Sequence, residues 1–373
     1  MKFLRLAFYV LIAQLVLSGC AGEGVEETSP SSSEINFDAY LGTNESTRAG
    51  ETNLAFLKGT AFNSGFGVFA RHKHADGSIS DMMDNEHVTW NGNSWGYTNT
   101  QYWPDEGSVD FYAYAPYIEG VKLVKAPGEN KDNPTYIQFN SSVNPVDLVL
   151  GCKENINVPT TPSSASKVKF DFWHALARLT FDITANSQLE ENGAVIKVKE
   201  VKLYGASEDE GALDVNGYLD LTKLNVSMFE GWSVVKDKNT RVVYTWTPRD
   251  TKDRGNLKLT ASQLDHTCTK IESDPNSYLC VIPQQKGKDK DNDNDGKWDD
   301  DPFYLQITYT VQRGTSQQTI TVKKNLFDVS HPFRFERNRT CILHLKLPLN
   351  HTRSRSNASE DFSVTMSVGS IPE

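Results

Sequence analysis

Long helices, catalytic signatures and an excess of basic charge are all missing from this sequence. No extended stretch repeats its apolar residues at the period of an amphipathic helix, apart from a helix-like turn from His174 to Arg178, and this excludes a helical bundle. There is no nucleophile elbow and no HExxH, so no enzyme class is indicated. Asp and Glu number 48 against 38 Lys and Arg, a formal net charge of -10 that argues against nucleic acid or anionic lipid as a partner. Cysteine is scarce, five in 373 residues. Cys152, Cys268, Cys280 and Cys341 match no zinc spacing and read as buried thiols or at most one bridge. Arg71-His72-Lys73-His74 sets two histidines on one face of a strand, one ligand short of a minimal metal site.

The one long apolar run, Leu6 to Val16, is too short to cross a bilayer. Lys2 and Arg5 precede it, the layout of a secretory signal peptide over residues 1–19. Leu17-Ser18-Gly19-Cys20 follows where the run ends and resembles the lipobox of bacterial lipoproteins, in which the chain is cut before the cysteine and lipid is joined to its sulfur. Cys20 is therefore the expected lipidation site, and its acyl chains would hold the protein at the cell outer membrane, facing an extracytoplasmic space. Beyond it, AGEGVEETSPSSSE has Val25 as its only large apolar residue and reads as a tether.

What is present is β-pattern. GFGVFARHK (65–73) is apolar on alternate positions, TYIQFN (135–140) alternates again, and VDFYAYAPY (109–117) places aromatics on both faces. Asp76-Gly77 and Asn91-Gly92 supply hairpin turns. VPTTPSSAS (158–166) breaks the pattern and is the expected domain boundary. After it, eight segments rich in Val, Ile, Thr, Tyr and Phe run to FSVTMSV (362–368). The expected fold is all-β, two tandem sandwiches over 49–160 and 161–373, preceded by a segment 20–48 that holds the tether and one further strand.

Several segments, in order, resemble signature stretches of the fimbrillin family of Bacteroidetes, the Mfa-like fimbrial subunits: NESTRAG (44–50), FGVFA (66–70), YWPDEGSVDFYAYAPY (102–117), FDFWHALARLTFDI (170–183), YLCVIPQQ (278–285) and FRFERNRTCILHLKL (333–347). Near the end the chain departs from the pattern, with Asn338 and Cys341 where a glycine turn and an aromatic are usual; Asn tolerates the left-handed backbone that Gly supplies. The resemblance implies transthyretin-like sandwiches and no enzyme activity. It also implies export as a lipoprotein, with an arginine-specific protease then removing an N-terminal strand so that a strand from another subunit can fill the vacated groove. The cut would fall between Arg48 and Ala49, and INFDAYL (35–41), with Ile35, Phe37 and Ala39 on one face, would be the strand removed. If FSVTMSV completes its own domain, the chain is expected to be a tip or accessory subunit of a fimbrium, with adhesion to a host or bacterial surface ligand.

Other readings rest on single features. Trp90, Trp95 and Trp103, if exposed and coplanar, would form a sugar-stacking platform of a surface glycan-binding lipoprotein. Retention of residues 20–48 at the surface would instead mark a lipidated anchor. His174, beside Trp173 and Leu176 with no acidic partner nearby in sequence, reads as a packed residue bonded to backbone. DNDNDGKWDDD (291–301) follows a calcium-loop spacing, with oxygens from Asp291, Asp293, Asp295, the Lys297 carbonyl and Asp299, and Gly296 at the turn, although Pro302 stands where a bidentate Glu is usual. No cofactor is otherwise required. Calorimetric titration with calcium is expected to register binding at this loop, and no heat at roughly millimolar calcium, the weak end for extracellular modules, would sink the assignment.

Overall fold

The computed structural model describes residues 33–41, 52–159, 167–185, 195–226, 229–248, 259–260, 264–266, 279–286, 303–326, 333–347 and 362–370. Its strands in chain order begin with β1 (Asn36–Tyr40), β2 (Phe66–Lys73), β3 (Ile79–Trp90), β4 (Trp95–Gly96), β5 (Ser108–Ala115), β6 (Leu123–Val124), β7 (Tyr136–Asn140), β8 (Val149–Asn157), β9 (Lys167–Asp171) and β10 (Trp173–His174). They continue with β11 (Ala177–Ala185), β12 (Val195–Tyr204), β13 (Asn216–Asp220), β14 (Trp232–Val234), β15 (Tyr244–Pro248), β16 (Leu259–Thr260) and β17 (Leu264–His266). The last are β18 (Leu279–Val281), β19 (Gln284–Lys286), β20 (Tyr304–Arg313), β21 (Ser316–Asn325), β22 (Phe333–Phe335), β23 (Arg339–Leu347) and β24 (Ser363–Ser370). A single turn of helix, α1 (Leu54–Leu57), starts at Asn53, whose side chain caps the Phe56 amide.

The first half is built on a six-stranded sheet in the order β10-β8-β5-β2-β3-β4. Its central strands are apolar on both faces because both are covered. On one side Phe66, Val68, Phe111 and Ala113 pack under β1 and β9, which run parallel to each other. Phe170 of β9 lies so close over β8 that a Cβ on Gly151 would come within 3.1 Å of it, a tight contact that would make Phe170 shift. On the other side Phe69, Tyr112, Tyr114 and Leu150 pack on Ile137 and Phe139 of β7 and Leu219 of β13. β7 belongs to a second layer, β14-β13-β7-β6, whose strands β13 and β14 come from much later in the chain. The halves are thus interlocked: β13 and β14 complete a first-half layer, and β9 and β10 add to the other two.

The second sandwich faces two five-stranded sheets across a core of its own. One runs β16-β11-β23-β24, with β18 also on β11, and the other β17-β15-β12-β20-β21. Phe181 of β11 meets Trp246 of β15 edge to face with ring centroids 4.4 Å apart. β24 pairs with β23 from Ser363 to Ser370, and Phe362 is buried in the same core. The change of core along the chain comes between Phe172, packed in the first, and Ala177, which opens the other.

The run from His174 to Arg178 is not helical: it is the link from β10 into β11. Its apolar residues point into two different cores, Leu176 into one and Ala177 into the other, and that spacing mimics a helical turn. Replacing Phe170 with Ala is expected to lower the unfolding free energy by about 3–5 kcal/mol in chemical denaturation. Phe62→Ala, at a side chain 77% exposed, should stay within about 0.5 kcal/mol of the parent.

Candidate functional site

Two places gather the residues that the sequence patterns single out, the seat of β1 and the joint between the halves. In β1 every second side chain turns inward: Ile35, Phe37, Ala39 and Leu41 are buried, while Tyr40 is half exposed. Phe37 stacks on Phe170 at 5.8 Å and meets Phe66 and Phe111 edge to face. Its backbone is held on both sides, by β9 along Asn36–Tyr40 and by the 97–103 segment at its start, where the Ile35 amide donates to Gln101 O at 2.8 Å and the Trp103 amide to Ser33 O at 3.0 Å. The Tyr97 hydroxyl adds a bond to Ile35 O, and the Phe172 amide one to Tyr40 O. Burying a side chain such as Phe or Ile contributes roughly 1.5–3 kcal/mol, so vacating the seat would expose an apolar groove at considerable cost.

The joint is the segment Phe172 to Arg178. His174 Nδ1 lies 3.1 Å from the Asp147 carboxylate, and Arg178 Nη2 donates to the same group at 2.7 Å. Thr52 donates its amide to that carboxylate and its hydroxyl to Asp147 O. Asp147 is fully buried; burial alone would raise its pKa, but the charges and hydrogen bonds of His174 and Arg178 outweigh it and hold the carboxyl down at about 2. His174 thus has an acidic partner, contrary to the reading from local sequence, and the partner comes from 27 residues upstream. Around it the backbone is spoken for: the Ala175 amide donates to Leu148 O, Trp232 Nε1 to Ala175 O, the Asn338 amide to Leu176 O and Arg337 Nε to His174 O. Arg337 Nη1 also donates to Lys223 O, and burial depresses its pKa to about 10. Asn338 takes the left-handed conformation, φ 56, so the turn survives the loss of glycine.

A second buried charge lies nearby in the other core. Asp214 accepts from Arg241 Nε at 2.6 Å and Lys286 Nζ at 2.9 Å. Gln284 of the YLCVIPQQ stretch accepts from the Asp214 amide and donates to Asp214 O, joining 214 to β19. Asp214, Gln284 and Lys286 are buried, and Arg241 is partly buried.

The remaining sequence candidates resolve differently. Cys20, Arg48, Ala49, Asp291, Asp293, Asp295, Lys297 and Asp299 lie outside the described residues. Cys152 and Cys341 are buried free thiols and Cys280 is buried; burial, reinforced by nearby Glu154 and Asp110, pushes Cys152 up to about 12, a packing role rather than a reactive one. The tryptophan platform is not formed: Trp95 and Trp103 are core residues, Trp90 meets Trp95 edge to face, and Lys58 Nζ covers the Trp90 ring at 4.1 Å. His72 and His74 do share a face, rings 3.9 Å apart, but His72 Nε2 contacts Glu106 O and His74 Nε2 contacts Ser80 Oγ. Among the described residues no three His, Cys, Asp or Glu side chains converge as a metal site.

Layered sheets, antiparallel except for the β1–β9 and β11–β23 pairs, define a β-sandwich protein. The profile of the family described as Fimbrillin-like matches residues 47–365, and the chain belongs to that family. The match begins after β1. The chain is 33% identical over 189 residues to the fimbrium subunit Fim1C of Phocaeicola vulgatus; the alignment spans 46% of this chain and 48% of that protein, about half the length of each. Its fold is similar to the crystal structure of a fimbrial protein from Bacteroides vulgatus, with a TM-score of 0.55 and 22% identity over 90% of this chain and 99% of the other.

Asp147→Asn is expected to destabilise the protein by about 3–5 kcal/mol at neutral pH, because it removes the countercharge from a buried guanidinium. The folded-state pKa of Asp147 is depressed, so its contribution is complete above about 4 and lost as pH falls toward 2; the gap between variant and parent in denaturant titrations should close over that window.

Proposed function

We propose that this chain is a structural subunit of a cell-surface fimbrium, exported as a lipoprotein through Cys20, cut after Arg48, and joined to its neighbours by a strand that replaces β1. The observation that carries this reading is the seat of β1: a short strand whose Ile35, Phe37, Ala39 and Leu41 fill an apolar groove, followed within a few residues by the Arg48-Ala49 bond. Removing such a strand leaves an unsatisfied edge and a groove that only another strand can fill, so proteolysis would switch association on. The partners are then other fimbrial subunits, and the membrane contact belongs to the precursor.

β24 is paired along its length in its own sheet, which supports a tip or accessory subunit that accepts a strand, with an adhesion role toward a host or bacterial surface ligand. The acidic loop 291–301 would then stiffen one end of the second sandwich when calcium is bound. A glycan-capturing platform loses its support with Trp95 and Trp103 in the core.

Incubation of the purified precursor with an arginine-specific protease, followed by mapping of the new N-terminus, tests the proposal. Cleavage between Arg48 and Ala49 with release of residues 20–48 and appearance of polymers or mixed-subunit complexes is expected. Cutting elsewhere, or cutting with no gain in association with any fimbrial subunit, would count against it.

A further inference from the structure

The second sandwich has two open sheet edges on the same side. β16 and β17 end their respective sheets and are only three residues apart in the chain, so they lie on one lateral side. β24 and β21 end the same two sheets in the other direction and therefore lie together on the opposite side. Among the described residues no strand pairs with the outer edge of either.

β21 is a long, regular edge. It pairs with β20 over all ten of its residues with no register shift, through the two-residue loop Gly314-Thr315, in which Gly314 has φ 55. In such a hairpin the flanking residues Arg313 and Ser316 are bonded to each other, and the direction of the backbone groups alternates from there. Ser316, Gln318, Ile320 and Val322 point theirs at β20, whereas Gln317, Thr319, Thr321 and Lys323 point theirs outward. Open edges are normally guarded by charge, proline or a bulge. β3 is guarded in this way, with Asp81, Asp84 and Glu86 along it and a left-handed break at Asn85, φ 54. β21 has none of these from Ser316 to Val322, and β24 has no charged residue at all.

We propose that this side is a contact between two copies of the chain, with β21 pairing antiparallel to β21 of the second copy across a two-fold axis perpendicular to the layers. The same axis that continues one sheet through β21 also brings β24 against its counterpart, so one operation covers both edges, which a single foreign strand cannot do. Antiparallel partners must both point outward or both inward, so the centred registers are those about Ile320 or Thr321. In the first, Lys323 faces Gln317 and Lys324 faces Ser316; in the other, Lys323 faces Thr319 and Lys324 faces Gln318. Neither sets lysine against lysine. Two chains of net charge -10 repel at a distance, but neither edge strand carries an acidic residue. This contact is separate from the β1 seat and stands whether or not a strand is exchanged there.

Sedimentation velocity of the purified uncut chain, with β1 in its seat, over a concentration series tests the contact. A monomer–dimer equilibrium is expected for the parent. Thr321→Pro should abolish it while leaving the thermal melt close to the parent's, because the lost amide faces outward and β21 is an edge strand. Q317K combined with T319K sets lysine against Lys323 in both registers and should also abolish the dimer; adding K323E should restore it. A parent that stays monomeric to the highest soluble concentration, open-ended growth through this side, or a dimer that survives both sets of changes in folded protein overturns the proposal.

Discussion

The two halves of this protein are held to one another by a buried carboxylate. Asp147 receives a histidine and an arginine from the segment that leads into the second sandwich and a threonine from the start of the first, so one side chain fixes three stretches far apart in sequence. A charge buried this deeply is costly unless it is paired and hydrogen-bonded, and the Asp147 carboxylate is held by Thr52, His174 and Arg178. The backbone of the same segment is bonded in turn to Leu148, Trp232, Arg337 and Asn338. The link between the cores is therefore a packed and hydrogen-bonded element, and the halves are coupled through it instead of hinging freely.

The central sheet depends on that coupling. Its central strands β2 and β5 are buried on both faces, which water would penalise if either covering layer were absent. One layer contains β13 and β14, which the chain contributes only after it has begun the second sandwich. The first core is thus complete only when residues from beyond Arg178 have folded back, so the six-stranded sheet and the joint are expected to form together.

Local pattern made much of this legible. The alternation in β7 and β23 and the aromatics of β5 are where period-two reading places them, and β2 is a strand where its apolar residues gather although it is buried on both faces. β3 escapes such reading: its polar, mostly half-buried DMMDNEH stretch shows no clear alternation, and it is a strand because β2 supplies its ladder. β9, β10 and β11 run together in sequence as one apolar stretch, and only the split at Phe172 to Leu176 between two cores divides them. The Asp147 cluster left no local trace, since Thr52 is 95 residues from Asp147. The tryptophans failed as a surface reading for a related reason: identity says that an indole is large and apolar, but burial is decided by neighbours such as Phe66 and Phe111. The motifs with the sharpest chemistry, Cys20, Arg48 and the acidic loop, are carried by spacing and lie outside the described residues.

The parallel pairing of β1 with β9 gives the groove a direction. A strand laid in backwards would have to pair antiparallel, and its large side chains would fall at different positions along the groove that holds Phe37 against Phe170. A strand that reproduced the contacts of β1 would enter with the same heading. Every subunit joined in this manner would sit in the same sense as the one before it, and a fibre assembled from them would have a distinguishable front and back.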